Sequence, residues 1–292
     1  MKMTFHDLIA LSQQSDLPLH EVVLMLEMSE TGVDPQALQK KLSCWLVELL
    51  EEEKKQYAQD HKTLTGWTGC NARLVAHYGA RLLSPFVHTA TVAALSMAES
   101  NAAMGKVLAC PTAGSCGVLP GILFACQRIL HKSTEEIGNG FVVAGAIGNI
   151  IAARASISGA QAGCQAEIGT ATAMASSCLA YILGGDCQVV GNAAALSLKA
   201  LMGLVCDPVG GFVEVPCVKR NAVGVSVATS TAEMALSGVE SLIPLDEVVL
   251  AMQRVGRMMH PDLKETGMGG IAISASAHEK VREFLEKSPG GE

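Results

Sequence analysis

Aromatic side chains make up only 4% of this 292-residue chain, although 49% of it is apolar. Ala, Val, Leu, Ile and Met therefore carry the apolar content, with 29 glycines among them. The β-branched and aromatic alternation that marks sheets is scarce, so small-faced helices packed at short distance are expected. Positive charge is lacking too: 21 Lys and Arg stand against 28 Asp and Glu, a net charge of −7. Without a basic stripe, neither nucleic acid nor an anionic membrane surface is expected as a partner. The first residues, Met1 to Asp7, lack the apolar stretch of a secretion signal. Two long uncharged runs occur, Val107–Gln127 and Ile168–Gly185. The first is broken by Pro111 and Pro120 and the second is diluted with Thr, Ser and Gly, whereas a spanning helix needs about 20 predominantly apolar residues. Ten cysteines without a secretion signal argue against a disulfide framework. A cytoplasmic protein with reduced thiols, some of them ligands, is the expectation.

What is present reads as helix. Residues 1–60 form a helical leader in which Asp34 is an N-cap and Pro35 the first helical residue. Leu38, Leu42, Trp45, Leu46 and Leu49 make a stripe at helical spacing, with residues 51–55 solvated at its end. Residues 61–287 are expected to be one helical catalytic domain and residues 288–292 a disordered tail. Leu82–Ala98, the run Val118–Ile129 and the stripe Leu245, Val248, Met252, Val255 and Met259 are further helices, the last ended by His260-Pro261.

Between Asn101 and Asn221 the texture changes to small-residue helices separated by Gly/Ser/Thr/Pro loops. The first loop, Cys110 to Gly117, offers the Thr112 and Ser115 hydroxyls and backbone N–H groups ahead of a helix, a cradle suited to a carboxylate or phosphate. A second loop carries Ser156, Ser158, Gly159 and Gly163 and leads into a helix from about Cys164, where the dipole favours a thiolate. In the third, Cys206 stands two residues before Pro208 and Cys217 directly after Pro216, with Gly210-Gly211 between them. Proline and glycine there suit a loop that holds two sulfurs still, though buried free cysteines would read the same way.

The segments Asn101-Ala102-Ala103-Met104-Gly105, Pro111 to Pro120, Ala155 to Ala160, Gly163-Cys164-Gln165-Ala166-Glu167, Gly203 to Val209, Val215-Pro216-Cys217, Arg220-Asn221-Ala222 and Glu265-Thr266 together resemble the iron–sulfur-dependent L-serine dehydratases of bacteria. Within that family the chain is similar to the α subunit of the two-subunit type. The resemblance implies an all-α catalytic domain and makes Cys164, Cys206 and Cys217 the ligands of a [4Fe–4S] cluster. It further implies a separate β subunit, an oligomer, and L-serine as substrate. Three thiolates leave one iron open, as a catalytic zinc site is left one ligand short, so that iron can take the substrate hydroxyl. Asn101, Thr112, Ser115, Ser156, Ser158 and Asn221 are the candidates for binding the substrate. Departures fall at Arg154, and at Asn71 and Arg73.

Such a reaction removes an unactivated α-proton and expels hydroxide, giving aminoacrylate that hydrolyses to pyruvate and ammonia. The proton acceptor is not identified by the sequence. Histidine is the usual choice, but His77, His88 and His260 lie outside the family-like loops, so the partner chain is the expected source of the base. Cys110, Cys116, Cys126, Cys178 and Cys187 are expected to be packing residues. A related iron–sulfur lyase acting on cysteine or another small β-substituted amino acid is the nearest alternative. A pyridoxal-phosphate enzyme, with residues 267–270 as phosphate loop, lacks the strand–helix alternation it would need. A cluster protein that only senses or carries electrons would normally bring a fourth cysteine.

Overall fold

A computed structural model describes residues 3–287, and those residues are helical with no β-sheet among them, as the scarcity of strand-forming patterns implied. The expected tail, residues 288–292, lies outside the described residues. The first three helices are α1 (Phe5–Ser15), α2 (Leu19–Thr31) and α3 (Pro35–Gln56). Thr4 and Asp7 close a capping box on α1, and Asp34 caps α3 through its bond from the Ala37 N–H, with Pro35 in the first turn. After a looped connector come α4 (Asn71–Tyr78), α5 (Pro85–Ala102), α6 (Val118–Arg128) and α7 (Thr134–Arg154). The short α8 (Gly159–Ala162) precedes α9 (Thr170–Ile182), α10 (Cys187–Leu201), α11 (Cys217–Leu236), α12 (Leu245–Met258) and α13 (Ala275–Lys287).

The fold is organised around α9. Every residue of α9 except Tyr181 is buried, so it is a core helix, apolar or small all round, enclosed by α6, α7, α10 and α11. Small residues let these helices approach. A Cβ on Gly140 of α7 would stand 2.6 Å from the Ile182 side chain and one on Gly148 2.9 Å from the Met174 sulfur, both on α9. Among the polar groups inside, Ser176 of α9, Ser197 of α10 and Thr231 of α11 share hydroxyl hydrogen bonds of 2.8 and 2.7 Å. Among the described residues one helix, α7, is long and apolar enough to cross a membrane. It packs against α9, α2 and α3 within the protein.

Two sequence expectations for α3 fail. Leu46 and Leu49 are buried, but Trp45 is 44% exposed, with the Lys41 ammonium over its ring. At the end of the helix Glu51, Lys54 and Lys55 are exposed, as expected, but Glu52 is buried and Glu53 is fully enclosed, and neither Glu53 oxygen has a hydrogen-bond partner. The helix docks through Leu46, Leu49 and Leu50, and Glu53 follows Leu49 and Leu50 by one helical turn on the same face. Burial, with the Glu52 charge beside it, pushes the Glu53 carboxyl well above the usual carboxylate range.

A testable consequence follows from the sign of that shift. An acid whose folded pKa is raised keeps its proton in the native state while the unfolded chain releases it above pH ~4.3. The native state then binds more protons, and stability falls as pH rises by up to about 1.4 kcal/mol per unit until the folded pKa is passed. Glu53→Met is expected to be more stable than the parent, with a gap that widens between about pH 5 and 8; urea midpoints measured across that range check it.

Candidate functional site

The three glycine- and hydroxyl-rich loops converge beside the entrance to α9. A π-helical segment, Gln165–Gly169, carries the chain from Cys164 into α9. Such wide turns are rare and occur often at functional sites. Gly163 just before it has φ +76°, and a Cβ there would meet the Met259 sulfur at 2.6 Å and the Leu204 carbonyl oxygen at 2.8 Å, so only glycine fits. Gln165 fastens this turn to the loop before Cys206. Its N–H donates to the Leu204 carbonyl, its Oε1 accepts from the Gly203 N–H, and its amide donates to Met252 on α12.

Cys206 lies in extended chain. Its N–H donates to the Leu263 carbonyl at 2.9 Å and its carbonyl accepts from the Glu265 N–H at 2.8 Å, a parallel bridge that brings in the Gly-rich turn after α12. Cys217 opens α11. Asn221, one turn on and fully buried, ties that helix to the first loop. It accepts from the Gly117 N–H at 2.9 Å and donates to the Gly114 and Cys217 carbonyls, each at 3.0 Å.

Three thiols from distant parts of the chain are thus gathered in one buried place, with Cys164 and Cys206 each 2% exposed and Cys217 7%. A hydrogen bond from Cys206 and the guanidinium of Arg220 hold the Cys164 thiol below its ordinary range against the opposing effect of burial. The same contact and burial push the Cys206 thiol up. Burial, with the Cys164 charge nearby, raises Cys217 to about 12. Arg220 also donates to the Val205 carbonyl at 2.8 Å and to Asp207 at 2.9 Å.

Beside the thiols stand two carboxyls. A Cβ built on Gly159 would lie 3.0 Å from Glu167 Oε2, 3.2 Å from Cys206 Sγ and 3.3 Å from Glu265 Oε2. Burial raises the Glu167 carboxyl, the Thr112 hydroxyl bonded to it opposes that, and the Glu265 charge adds to it. Glu265 occupies the left-handed region at φ 65°, a conformation that costs energy for a side-chain-bearing residue.

Of the residues singled out from the sequence, Thr112, Ser115 and Asn221 fall around this group, the Thr112 and Ser115 hydroxyls 3.0 Å apart. Ser158 adjoins it through Gly159. Ser156 turns away into its own loop, donating to Gln161 at 2.8 Å and accepting from the Ser158 N–H. Asn101 sits in the last turn of α5, where its carbonyl accepts from Met104, and no hydrogen bond among the described residues joins it to the cysteine loops. Arg154 stands at the other end of its loop, bonded to Asp246 of α12 at 3.0 Å. Cys110, Cys116, Cys126 and Cys178 are buried in the packing, and Cys187 is half-buried with its thiol on Ser12.

Sequence reasoning passed over Glu167, Arg220 and Glu265 as site residues. The first two were signalled by spacing, since each stands three residues after a cysteine and so on the same helical face. The position of Glu265 depends on the chain crossing at Cys206, for which no local signal exists. A cavity of about 960 Å³ lies elsewhere, between the 62–67 connector, Val209, Val215 and α13.

Among the described residues no set of three or more His, Cys, Asp or Glu is placed to hold a single metal ion. A polynuclear cluster makes a different demand, because each thiolate binds a different iron and the sulfurs need not meet at one point. Soft, buried thiols on three separate backbone anchors, with a cation beside them and a side-chain-free floor at Gly159, fit such a group.

The family model of the serine dehydratase alpha chain matches residues 14–272. The probable L-serine dehydratase alpha chain of Bacillus subtilis (strain 168) is 40% identical over 282 residues, covering 96% of this chain and 94% of that one. The L-serine dehydratase alpha chain of Peptoniphilus asaccharolyticus is 36% identical over 291 residues, covering 98% and 99%. An L-serine dehydratase of Escherichia coli (strain K12) is 41% identical over 182 residues, which is 62% of this chain but only 40% of that longer protein. With its matched span running from α1 through all three cysteine loops to the Gly-rich turn, the chain belongs to the serine dehydratase alpha chain family.

Proposed function

We propose that this chain is the catalytic α subunit of an L-serine ammonia-lyase, converting L-serine to pyruvate and ammonia with a [4Fe–4S] cluster held by Cys164, Cys206 and Cys217. The observation that carries the reading is the meeting of these three buried thiols beside the Arg220 guanidinium. The cluster supplies Lewis acidity for the departing hydroxyl. The protein's own residues do the rest. Burial of the thiols keeps water from the group, and Asn221 locks the first loop against the start of α11, so that Thr112 and Ser115 keep a fixed place beside it. Those hydroxyls are suited to a carboxylate, and hydrogen bonds to it orient the substrate. All the residues brought together here lie within residues 61–287, which supports the division into a leader and a catalytic part. The longer L-serine dehydratase of Escherichia coli, of which the match covers 40%, supports a separate β chain as partner.

The test is anaerobic preparation of the α chain with and without a β chain. Iron and sulfide analysis should find about four of each per α chain, and pyruvate should form from L-serine in the complex. Sulfide released from L-cysteine faster than pyruvate from L-serine would favour the alternative lyase. Absence of iron from the anaerobic protein would end the proposal.

A further inference from the structure

Aromatic rings are scarce in this chain, which has 2 Trp and 6 Phe, yet one Trp and two Phe meet at a single place. Trp67 of the connector, Phe212 of the third cysteine loop and Phe284 of α13 stand edge to face. The Trp67 ring centroid is 6.0 Å from Phe212 and 6.2 Å from Phe284, and the two Phe are 5.3 Å apart. All three are half-buried, and Trp67 and Phe284 line the cavity of about 960 Å³. We propose that this cavity binds a small organic anion, with an aromatic or comparable apolar body and one carboxylate or phosphate group. The inference goes beyond the serine reaction and uses none of its steps. The volume falls in the range of about 300–1,000 Å³ typical of sites that enclose a drug-sized ligand. Leu64, Val209, Val215 and Ile271 complete the apolar wall.

The polar groups of the lining favour negative charge. Lys62, Lys280 and Lys287 stand against Glu283 alone, in a chain whose net charge is −7. Glu283 is taken up by Lys280 at 2.9 Å, so the lining offers no further carboxylate to the other two ammonium groups. The Thr65 and Ser274 hydroxyl oxygens accept from the Trp67 and Ala277 N–H groups at 3.1 and 3.3 Å, which leaves their protons to donate to an anion. The hollow is also formed in advance. Glu214, 2% exposed, accepts from the Thr65 N–H at 2.9 Å and the Thr68 hydroxyl at 3.0 Å, and so ties the connector to the third cysteine loop. The Val209 N–H donates to the Val215 carbonyl, and the Ile271 N–H to Asp207, each at 2.9 Å. Walls already held by such bonds lose little freedom when a ligand enters. Protein interfaces keep charge out of their centre, whereas here ammonium groups and apolar walls share one hollow, which suits a compact anion. Its occupant touches the loop of Cys206 and Cys217 from the outer side, through Val209 and Val215.

The experiment uses the whole chain carrying Trp45→Phe, which leaves Trp67 as its sole tryptophan. The probes are adenosine monophosphate, hydrocinnamate, the uncharged hydrocinnamyl alcohol, and inorganic phosphate. Trp67 emission is expected to change saturably with adenosine monophosphate or hydrocinnamate, with a midpoint below about 10 mM. A response to the first alone makes the charged group a phosphate, and to the second alone a carboxylate; either supports the proposal. Amide exchange should slow at residues 62–67 and 209–215 when the probe is bound. Lys62→Ala combined with Lys287→Ala, both exposed, should keep the melting temperature and weaken binding about tenfold. No saturable change with either organic anion would overturn the proposal. So would an equal response to the uncharged alcohol, a response to inorganic phosphate alone, or affinity in the double variant within about twofold of the parent. Loss of the response when a β chain is added would give the cavity to a partner chain and overturn it as well. None of these readouts depends on pyruvate formation, so a failure of the serine reading leaves them standing.

Discussion

Cys164→Ser, Cys206→Ser and Cys217→Ser are each expected to lose bound iron and sulfide and, with them, pyruvate formation. A cluster held by three thiolates has no spare ligand, and serine offers a hard, weakly acidic oxygen where a soft sulfur is needed. Removing residues that only support a ligand costs about 10- to 100-fold in affinity or activity; removing a ligand should exceed that, leaving a rate near the assay floor. The control is Cys116→Ala. Its thiol is buried within the first loop, donates to the Met97 carbonyl at 3.7 Å, and is pushed far up by burial among apolar groups. It should lower the melting temperature while keeping the full iron content. The measurement is iron and sulfide per chain in anaerobic protein, alongside the rate of pyruvate release. Full iron in any of the three serine variants would remove that cysteine from the ligand set.

The helices were legible because their signals are local. Asp34 followed by Pro35 marks the start of α3 wherever α3 lies, and His260-Pro261 ends α12 in the same way. The loops were legible as loops because glycine and proline act on their own backbone. What the residues did not reveal was how far burial reaches. The stripe on α3 implied that Glu53 faces water, and only the packing of α3 on the body of the protein encloses it. Periodicity says which face is apolar, but not how deep a neighbouring face sits. The thiol cluster was named from resemblance, whereas its polar surroundings come from tertiary contacts. Asn221 bridges 107 positions to Gly114, and the Cys206 bridge recruits Glu265. Asn221 was singled out as a substrate group, yet all three of its hydrogen bonds go to backbone, which gives it a positioning part.

Arg220→Met should destabilise the protein by about 3–5 kcal/mol, because it strands a buried charge. The Asp207 side chain is 4% exposed and accepts from Arg220 at 2.9 Å, and also from the Ile271 N–H at 2.9 Å. Losing the guanidinium leaves that carboxylate desolvated, with a single backbone donor of the two groups that now hold it. Adding Asp207→Asn removes the stranded charge while keeping an acceptor for Ile271, so the double variant should recover much of the lost stability. Activity should not recover with it. Arg220 also bonds the Cys164 sulfur, and neither methionine nor asparagine replaces that contact. Loss of such a partner to a ligand costs about 10- to 100-fold in affinity or activity. Denaturant midpoints and iron retention, measured on both variants, separate the two parts Arg220 plays. If stability and iron return together in the double variant, Arg220 serves Asp207 alone and has no separate part at the cluster.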